Sequence, residues 1–138
     1  KGMILAELDP TDYSLAVANA RDALKAAQLA YQEACVTLQD VTKDWERYRH
    51  LYEKKVISKQ KWDHMQTARR KALIMRDLTR ARVSRARVAL QIARTNLNHT
   101  RLRAPFNGVV TRRLVDPGAR VYTMPPTVLM VLMDLSRV

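Results

Sequence analysis

Few residues in this chain have the types and spacing that chemistry requires. The three histidines are His50, His64 and His99, and they match neither a HExxH helix nor a Cys/His finger. The single cysteine, Cys35, is remote from all three in sequence and cannot form an internal disulfide, so it leaves the redox compartment open. His50 and His64 flank a break in the pattern and could face each other across a turn. Two imidazoles alone make a poor metal site, and edge histidines are the plainer reading. Asp9, Asp12 and Asp116 stand next to Pro or Thr in turn-like contexts, where carboxylates cap backbone N–H groups. There is no phosphate-binding glycine loop and no defensible Ser/His/Asp set. The sequence therefore predicts no enzyme, no metal and no cofactor.

The remaining chemistry is charge. The chain has 25 Lys/Arg against 13 Asp/Glu, a net charge of +12. That excess attracts phosphates, anionic headgroups or an acidic protein surface without choosing among them. From His64 to Arg103 the only acidic residue is Asp77, but no recognised nucleic-acid fold or interleaved aromatic set accompanies Arg69, Arg76, Arg80, Arg87 and Arg94. Nucleic-acid binding by a basic coiled coil is thus an alternative, and a solvated helical arm is the preferred reading. Another cluster is more suggestive. Between Lys43 and Lys61 there are seven Lys/Arg and three Asp/Glu, interleaved with Trp45, Tyr48, Leu51 and Tyr52, and Trp62 follows. This composition suits a protein-docking surface if the aromatics face out, and an ordinary seam if they face in.

The elements that position this cluster are long helices. Thr11–Asn98 contains neither Gly nor Pro. Val17, Ala20, Leu24, Ala27, Tyr31, Ala34, Leu38, Val41, Trp45, Tyr48 and Tyr52 alternate by three and four, the pattern of a coiled-coil seam. Glu53–Ser58 breaks it, and Ser58 is a good N-cap. A second helix continues through Trp62, Met65, Ala68, Ala72, Met75, Thr79, Val83, Ala86, Leu90, Ala93 and Leu97. Arg69, Arg76 and Arg82 lie close to its seam, which implies a local register shift near Thr79. Two helices of similar length joined by a short break predict an antiparallel hairpin.

The flanks read as β structure. Met3–Leu8 is a strand that ends at Pro10. Thr100–Ala104 is extended, Asn107-Gly108 turns, and Val109–Val115 is a strand. Asp116-Pro117-Gly118 turns again, Arg120–Tyr122 is a short strand, Met124-Pro125-Pro126 turns, and Val128–Met133 is the last strand. A lone strand cannot satisfy its backbone, so Met3–Leu8 must pair with the pieces after the hairpin. The fold class is α+β: a long antiparallel coiled-coil hairpin (11–99, tip about 53–58) inserted into a small β domain built from 1–10 and 100–138. No run is long and apolar enough to span a membrane. The Lys1-Gly2 opening suggests a piece of a longer protein.

Three stretches give this pattern a likeness. They are Gly2-Met3-Ile4-Leu5-Ala6-Glu7-Leu8-Asp9-Pro10; Leu97 to Val110 with Val115 to Val121; and the Arg47–Ser58 segment with its Arg-Leu-Ser spacing. Together they resemble the periplasmic adaptor proteins, or membrane fusion proteins, of Gram-negative tripartite efflux pumps and type I secretion systems. The resemblance implies that the β pieces form a lipoyl-like β-sandwich. It implies a non-enzymatic adaptor in the periplasm, associated with the inner membrane through segments outside this chain. Its partners would be an inner-membrane transporter, a TolC-like outer-membrane channel and, in a hexameric assembly, further copies of itself. Nucleic acid would not be among them. Arg47, Leu51 and Ser58 would be the channel-binding residues at the tip. Lipoyl carriers modify a lysine in an Asp-Lys turn, and that dipeptide is absent, so no cofactor is expected. A basic nucleic-acid-binding coiled coil and a purely structural oligomerisation coil are the competing readings.

Overall fold

The computed structural model of the chain describes residues 1–122 and 124–134. Its elements are β1 (Ile4–Glu7), α1 (Thr11–Glu53), α2 (Lys59–His99), β2 (Arg101–Arg103), β3 (Val109–Arg113) and β4 (Met130–Met133). They fall into two units: residues Pro10–Asn98, and a second unit made of Lys1–Asp9 with the chain from His99 on.

The first unit is the helical hairpin. With 43 and 41 residues, each helix runs roughly 60 Å at about 1.5 Å per residue. No Gly or Pro interrupts either. Val17 and Ala34 on α1 and Ala72, Thr79 and Leu90 on α2 are buried. The other seam positions expected on α1 are half-buried throughout. The antiparallel sense is visible in which residues meet: Trp45 lies against Trp62 and Arg69, and the charges of Arg76 and Arg80 reach Tyr31. Thr79 enters the seam without an orphaned hydroxyl, because its Oγ1 donates to the carbonyls of Met75 and Arg76, both at 2.9 Å.

The α2 seam differs from expectation at two positions, with Arg69 in place of Ala68 and Arg76 in place of Met75. Met75 is 53% exposed, and Arg76 is half-buried in its place. With Arg69 also half-buried, the α2 seam runs Trp62, Met65, Arg69, Ala72, Arg76, Thr79, Val83, Ala86, Leu90, Ala93, Leu97. The alternation of three and four is unbroken, so no register shift is needed near Thr79. An apolar/polar reading passes over arginines, yet their long stems can lie along a seam while the guanidinium finds a partner at its edge. Arg76 does this by pairing with Asp77 at 2.7 Å. Arg82 stays exposed.

The second unit is a small β domain of lipoyl-like architecture. β1 pairs antiparallel with β2, in the register Ile4↔Arg103, Ala6↔Leu102 and Glu7↔Arg101. Flanking bonds from Gly2 N to Ala104 O, Ala104 N to Met3 O and Leu8 N to Thr100 O lengthen the ladder. The lone N-terminal strand thus finds its partner directly after the hairpin, and Arg101 fixes the pairing by a 2.8 Å bond to Glu7. β3 pairs antiparallel with β4. Between them Asp116-Pro117-Gly118-Ala119 is a type II turn, with Ala119 N donating to Asp116 O at 3.1 Å and Gly118 at φ 85°. At Gly108 an added methyl would run into the Met133 carbonyl, so the close approach of the two chains there requires glycine.

The expected strand Arg120–Tyr122 does not form. Tyr122 N donates to Thr127 Oγ1 at 3.0 Å and Thr127 N to Tyr122 O at 3.1 Å. Those bonds close the loop around Met124–Pro126 and take Tyr122 away from any ladder. The unit is thinly packed: Ala104 and Thr100 are buried, and a cavity opens among Leu5, Leu8, Val115, Val121 and Leu129.

The corrected register has a direct check. Met75→Lys should leave the melting temperature almost unchanged, since that side chain already faces water, whereas Arg76→Leu should raise stability by about 0.5–1.5 kcal/mol by replacing a cation in the seam. Thermal denaturation followed at 222 nm measures both. The reverse order of effects would restore Met75 to the seam.

Candidate functional site

The break between the helices is a doubly capped turn. α1 ends in a Schellman motif: Lys55 N donates to Tyr52 O and Val56 N to Leu51 O, each at 2.9 Å. This geometry puts Lys55 at φ 57°, the left-handed region where glycine is usual. α2 starts from Ser58, whose Oγ accepts the Lys61 N–H at 3.3 Å and whose carbonyl accepts the Trp62 N–H at 3.1 Å. Ser58 is therefore the N-cap its position suggested. Only residues 54–58 separate the helices.

The aromatics of this region face inward. Trp62, the first seam residue of α2, stacks on Tyr52 with ring centroids 5.5 Å apart and an interplanar angle of 11°. It also meets Trp45 at 5.6 Å and 33°. Arg69 lies over Trp45 at 4.5 Å, Arg49 over the same ring at 5.4 Å, and Lys61 over Tyr48 at 5.6 Å. A guanidinium on an indole face is the partner that lets Arg69 occupy a seam position. The buried Arg69 Nε finds no ordinary hydrogen-bond acceptor, and the adjacent ring face is the attractive surface available to it. Of the two arrangements the composition allowed, the structure adopts the seam.

What faces solvent is basic with a small apolar cap. Arg47 is exposed and pairs with Asp44 at 3.3 Å on its own helix, its side chain 71% accessible. Such a surface pair holds its arginine weakly. Leu51 is half-buried on the last turn of α1, and Ser58 is exposed. No hydrogen bond or ion pair joins one of these three to another; what they share is nearness to the turn. The Ser58 hydroxyl, accepting from Lys61, keeps its own O–H free to donate. Val56 is 66% exposed at the apex. It was legible in sequence only as part of the break. Lys54, Lys55 and Lys59 surround it, all exposed.

Elsewhere the chain holds little chemistry. His50 and His64 are both exposed. His50 Nδ1 lies 3.6 Å from Glu53 of its own helix, and among the described residues no three His, Cys, Asp or Glu gather as metal ligands. Cys35 is half-buried and hydrogen-bonded with Tyr31, whose hydroxyl is pushed above the ordinary phenol range first by that bond. No helix among the described residues is long and apolar enough to cross a membrane.

The chain thus combines a two-helix hairpin whose end is basic and partly apolar with a lipoyl-like β unit. Residues 20–100 match the family described as "RND MFP, alpha-helical hairpin domain", and the chain belongs to that family of membrane fusion proteins. It is 30% identical over 135 residues to "Multidrug efflux pump subunit AcrA" of Escherichia coli (strain K12), covering 98% of this chain and 30% of that protein. It is likewise 30% identical over 122 residues to "Efflux pump periplasmic linker BepD" of Brucella suis biovar 1 (strain 1330), covering 88% and 27%. The crystal structure of MacA from Actinobacillus actinomycetemcomitans has the same fold over 96% of this chain and 41% of that one, with a TM-score of 0.89 at 24% identity. The chain spans 27–30% of the length of these two curated relatives.

The left-handed residue tests the turn. Replacing it by glycine (Lys55→Gly) should stabilise the hairpin by about 0.5–1 kcal/mol, and Lys55→Val should destabilise it by about 1–2 kcal/mol, because a β-branched side chain resists that backbone region. Thermal melts of the two variants measure this. Equal effects would mean the turn is not closed as described.

Proposed function

We propose that this chain is the hairpin and lipoyl-like portion of a non-enzymatic periplasmic adaptor. The adaptor bridges an inner-membrane transporter to a TolC-like outer-membrane channel in efflux or export, and the hairpin end docks on the channel. The observation that carries this reading is the match of residues 20–100 to the hairpin of membrane fusion proteins. The printed descriptions of AcrA and BepD as efflux-pump components support it. The full-length protein resides in the periplasm, attached to the inner membrane through segments outside this chain.

At the tip, Arg47 donates charge-assisted hydrogen bonds to carbonyls or a carboxylate of the channel. Leu51 packs into a groove between the channel's helical ends, and the free O–H of Ser58 donates across the contact. Lys54, Lys55 and Lys59 add a positive field that suits an acidic rim.

Self-association, hexameric in the assembled pump, belongs to the same proposal, and the backs of the helices support it. Ile74, Leu78, Val88 and Ile92 are exposed on α2, and Leu15, Leu29 and Val36 on α1. At about 100° per residue both sets lie opposite the seam, so hairpins laid side by side bring an α1 back to an α2 back. The charges agree: α1 carries seven Asp/Glu and five Lys/Arg, α2 two and eleven. Two α2 faces would repel, and an α1 face against an α2 face would not.

Two experiments follow. In the full-length adaptor, Arg47→Asp combined with Leu51→Asp should weaken capture by a purified TolC-type channel by at least about tenfold with helicity unchanged. Capture at wild-type affinity would sink the tip assignment. Val88→Glu with Ile92→Glu should shift sedimentation-velocity profiles toward monomer while leaving circular dichroism intact. An unchanged distribution would remove the α2 back from the self-association surface.

A further inference from the structure

We infer that Trp62, with Arg69 behind it, is a positioning residue for docking: the ring stack across the hairpin holds Arg47, Leu51 and Ser58 in one arrangement. The inference rests on the tip reading above and goes beyond it to residues that are not on the docking surface.

The ion pairs of the hairpin run along single helices: Lys43–Asp40, Arg47–Asp44, Arg49–Glu53, His50–Glu53 and Arg76–Asp77. None of them ties α1 to α2. Below the tip, small residues such as Ala30, Ala34, Ala72 and Thr79 line a shallow groove between the helices. Small side chains make fewer interlocking contacts than rings, so this stretch resists sliding of one helix along the other less than the aromatic end does. The directional contacts between the helices are concentrated at the end, where Trp62 touches both Tyr52 and Trp45 and Arg69 covers Trp45. Offset and stacked rings have a preferred geometry, unlike methyl-to-methyl contact.

Each docking residue is tied closely to one of these rings. Arg47 is two residues beyond Trp45. Leu51 adjoins Tyr52, and its carbonyl receives the Schellman bond from Val56. The Ser58 carbonyl receives the Trp62 N–H, the first helical bond of α2. Two docking residues belong to α1 and the third caps α2, so their relative placement depends on how the helices are clamped. Trp62 spans that division. A docking surface split between two helices is complementary to a partner only while the split is fixed.

A double-mutant comparison in the full-length adaptor tests this, with capture by a purified TolC-type channel as the measurement. Trp62→Ala should weaken capture by about tenfold with little loss of far-UV helicity, and Trp62→Phe, which keeps a stacking ring, should restore it to within about threefold. Arg69→Met should weaken capture by about threefold and alter the near-ultraviolet dichroism of the tryptophans. Adding Trp62→Ala to Leu51→Asp should produce much less than the product of the two single losses, because a positioning residue has nothing left to position once the contact is gone. Multiplying losses would assign Trp62 to general stability and overturn the inference. So would wild-type capture by Trp62→Ala in a protein whose Leu51→Asp variant fails to dock. If Leu51→Asp itself docks normally, the tip reading falls, and this inference falls with it.

Discussion

The hairpin depends on a seam that never misses a step. Over more than 40 residues on each side, a side chain returns to the interface every three or four positions, and the two helices stay in register from Val17 and Leu97 to Tyr52 and Trp62. Within one hairpin a helix this long draws its stability mainly from that seam, since propensity alone leaves isolated helices marginal and tertiary packing decides. The seam tolerates polar members because each brings its own satisfaction. Thr79 bonds to its own helix, Arg76 to Asp77, and Arg69 to an indole face.

The β unit solves a different problem. β1 and β2 are separated in sequence by the whole hairpin, and closing so long a loop is entropically costly, though the cost grows only with the logarithm of its length. An ordered hairpin whose ends come back together removes much of that cost, because its own seam fixes the separation of its ends. The Leu8–Thr100 hydrogen bond and the Glu7–Arg101 pair then complete a ladder whose strands have been delivered to each other. The logic runs one way, from the seam to the strands. β2 and β3 are exposed along their lengths, and strands with so little buried surface cannot be what organises the chain.

Much of this was legible in the sequence because the dominant signals were periodic or sterically sharp. The α1 seam, the break near residue 53, the Ser58 cap and the Asp116-Pro117-Gly118 turn each reflect a local rule that acts on a few neighbouring residues. Three things escaped for physical reasons. Met75 took the seam position that belongs to Arg76, because a hydropathy pattern discounts a cation even where its stem packs. Arg120–Tyr122 read as a strand from its β-branched and aromatic content, but Thr127 captured the Tyr122 backbone, a contact no local pattern announces. The inward turn of Trp45, Tyr52 and Trp62 was undecidable from composition, since the same residues make a docking surface or a seam. Partner chemistry settled it: Trp62 on the opposite helix and Arg69 two turns further on complete the stack.

That last outcome changes what the end of the hairpin is. An exposed cluster of tryptophans would be an adhesive patch, tolerant of many partners and prone to aggregation. With its rings turned inward, the end presents Arg47, Leu51, Val56 and Ser58 among lysines, a surface with limited apolar area and strong direction. If the end docks as proposed, recognition depends on matched acceptors and a fitted groove, and mismatched surfaces would meet desolvated cations with no partner. Rigidity and selectivity come from the same choice. The aromatic mass that could have supplied nonspecific affinity is used to hold the helices, and under the proposed docking the residues left outside would be those whose contacts discriminate. Lys55 fits this division. Glycine would sit more comfortably at its φ of 57°, yet a lysine there keeps a positive charge at the apex, beside Val56.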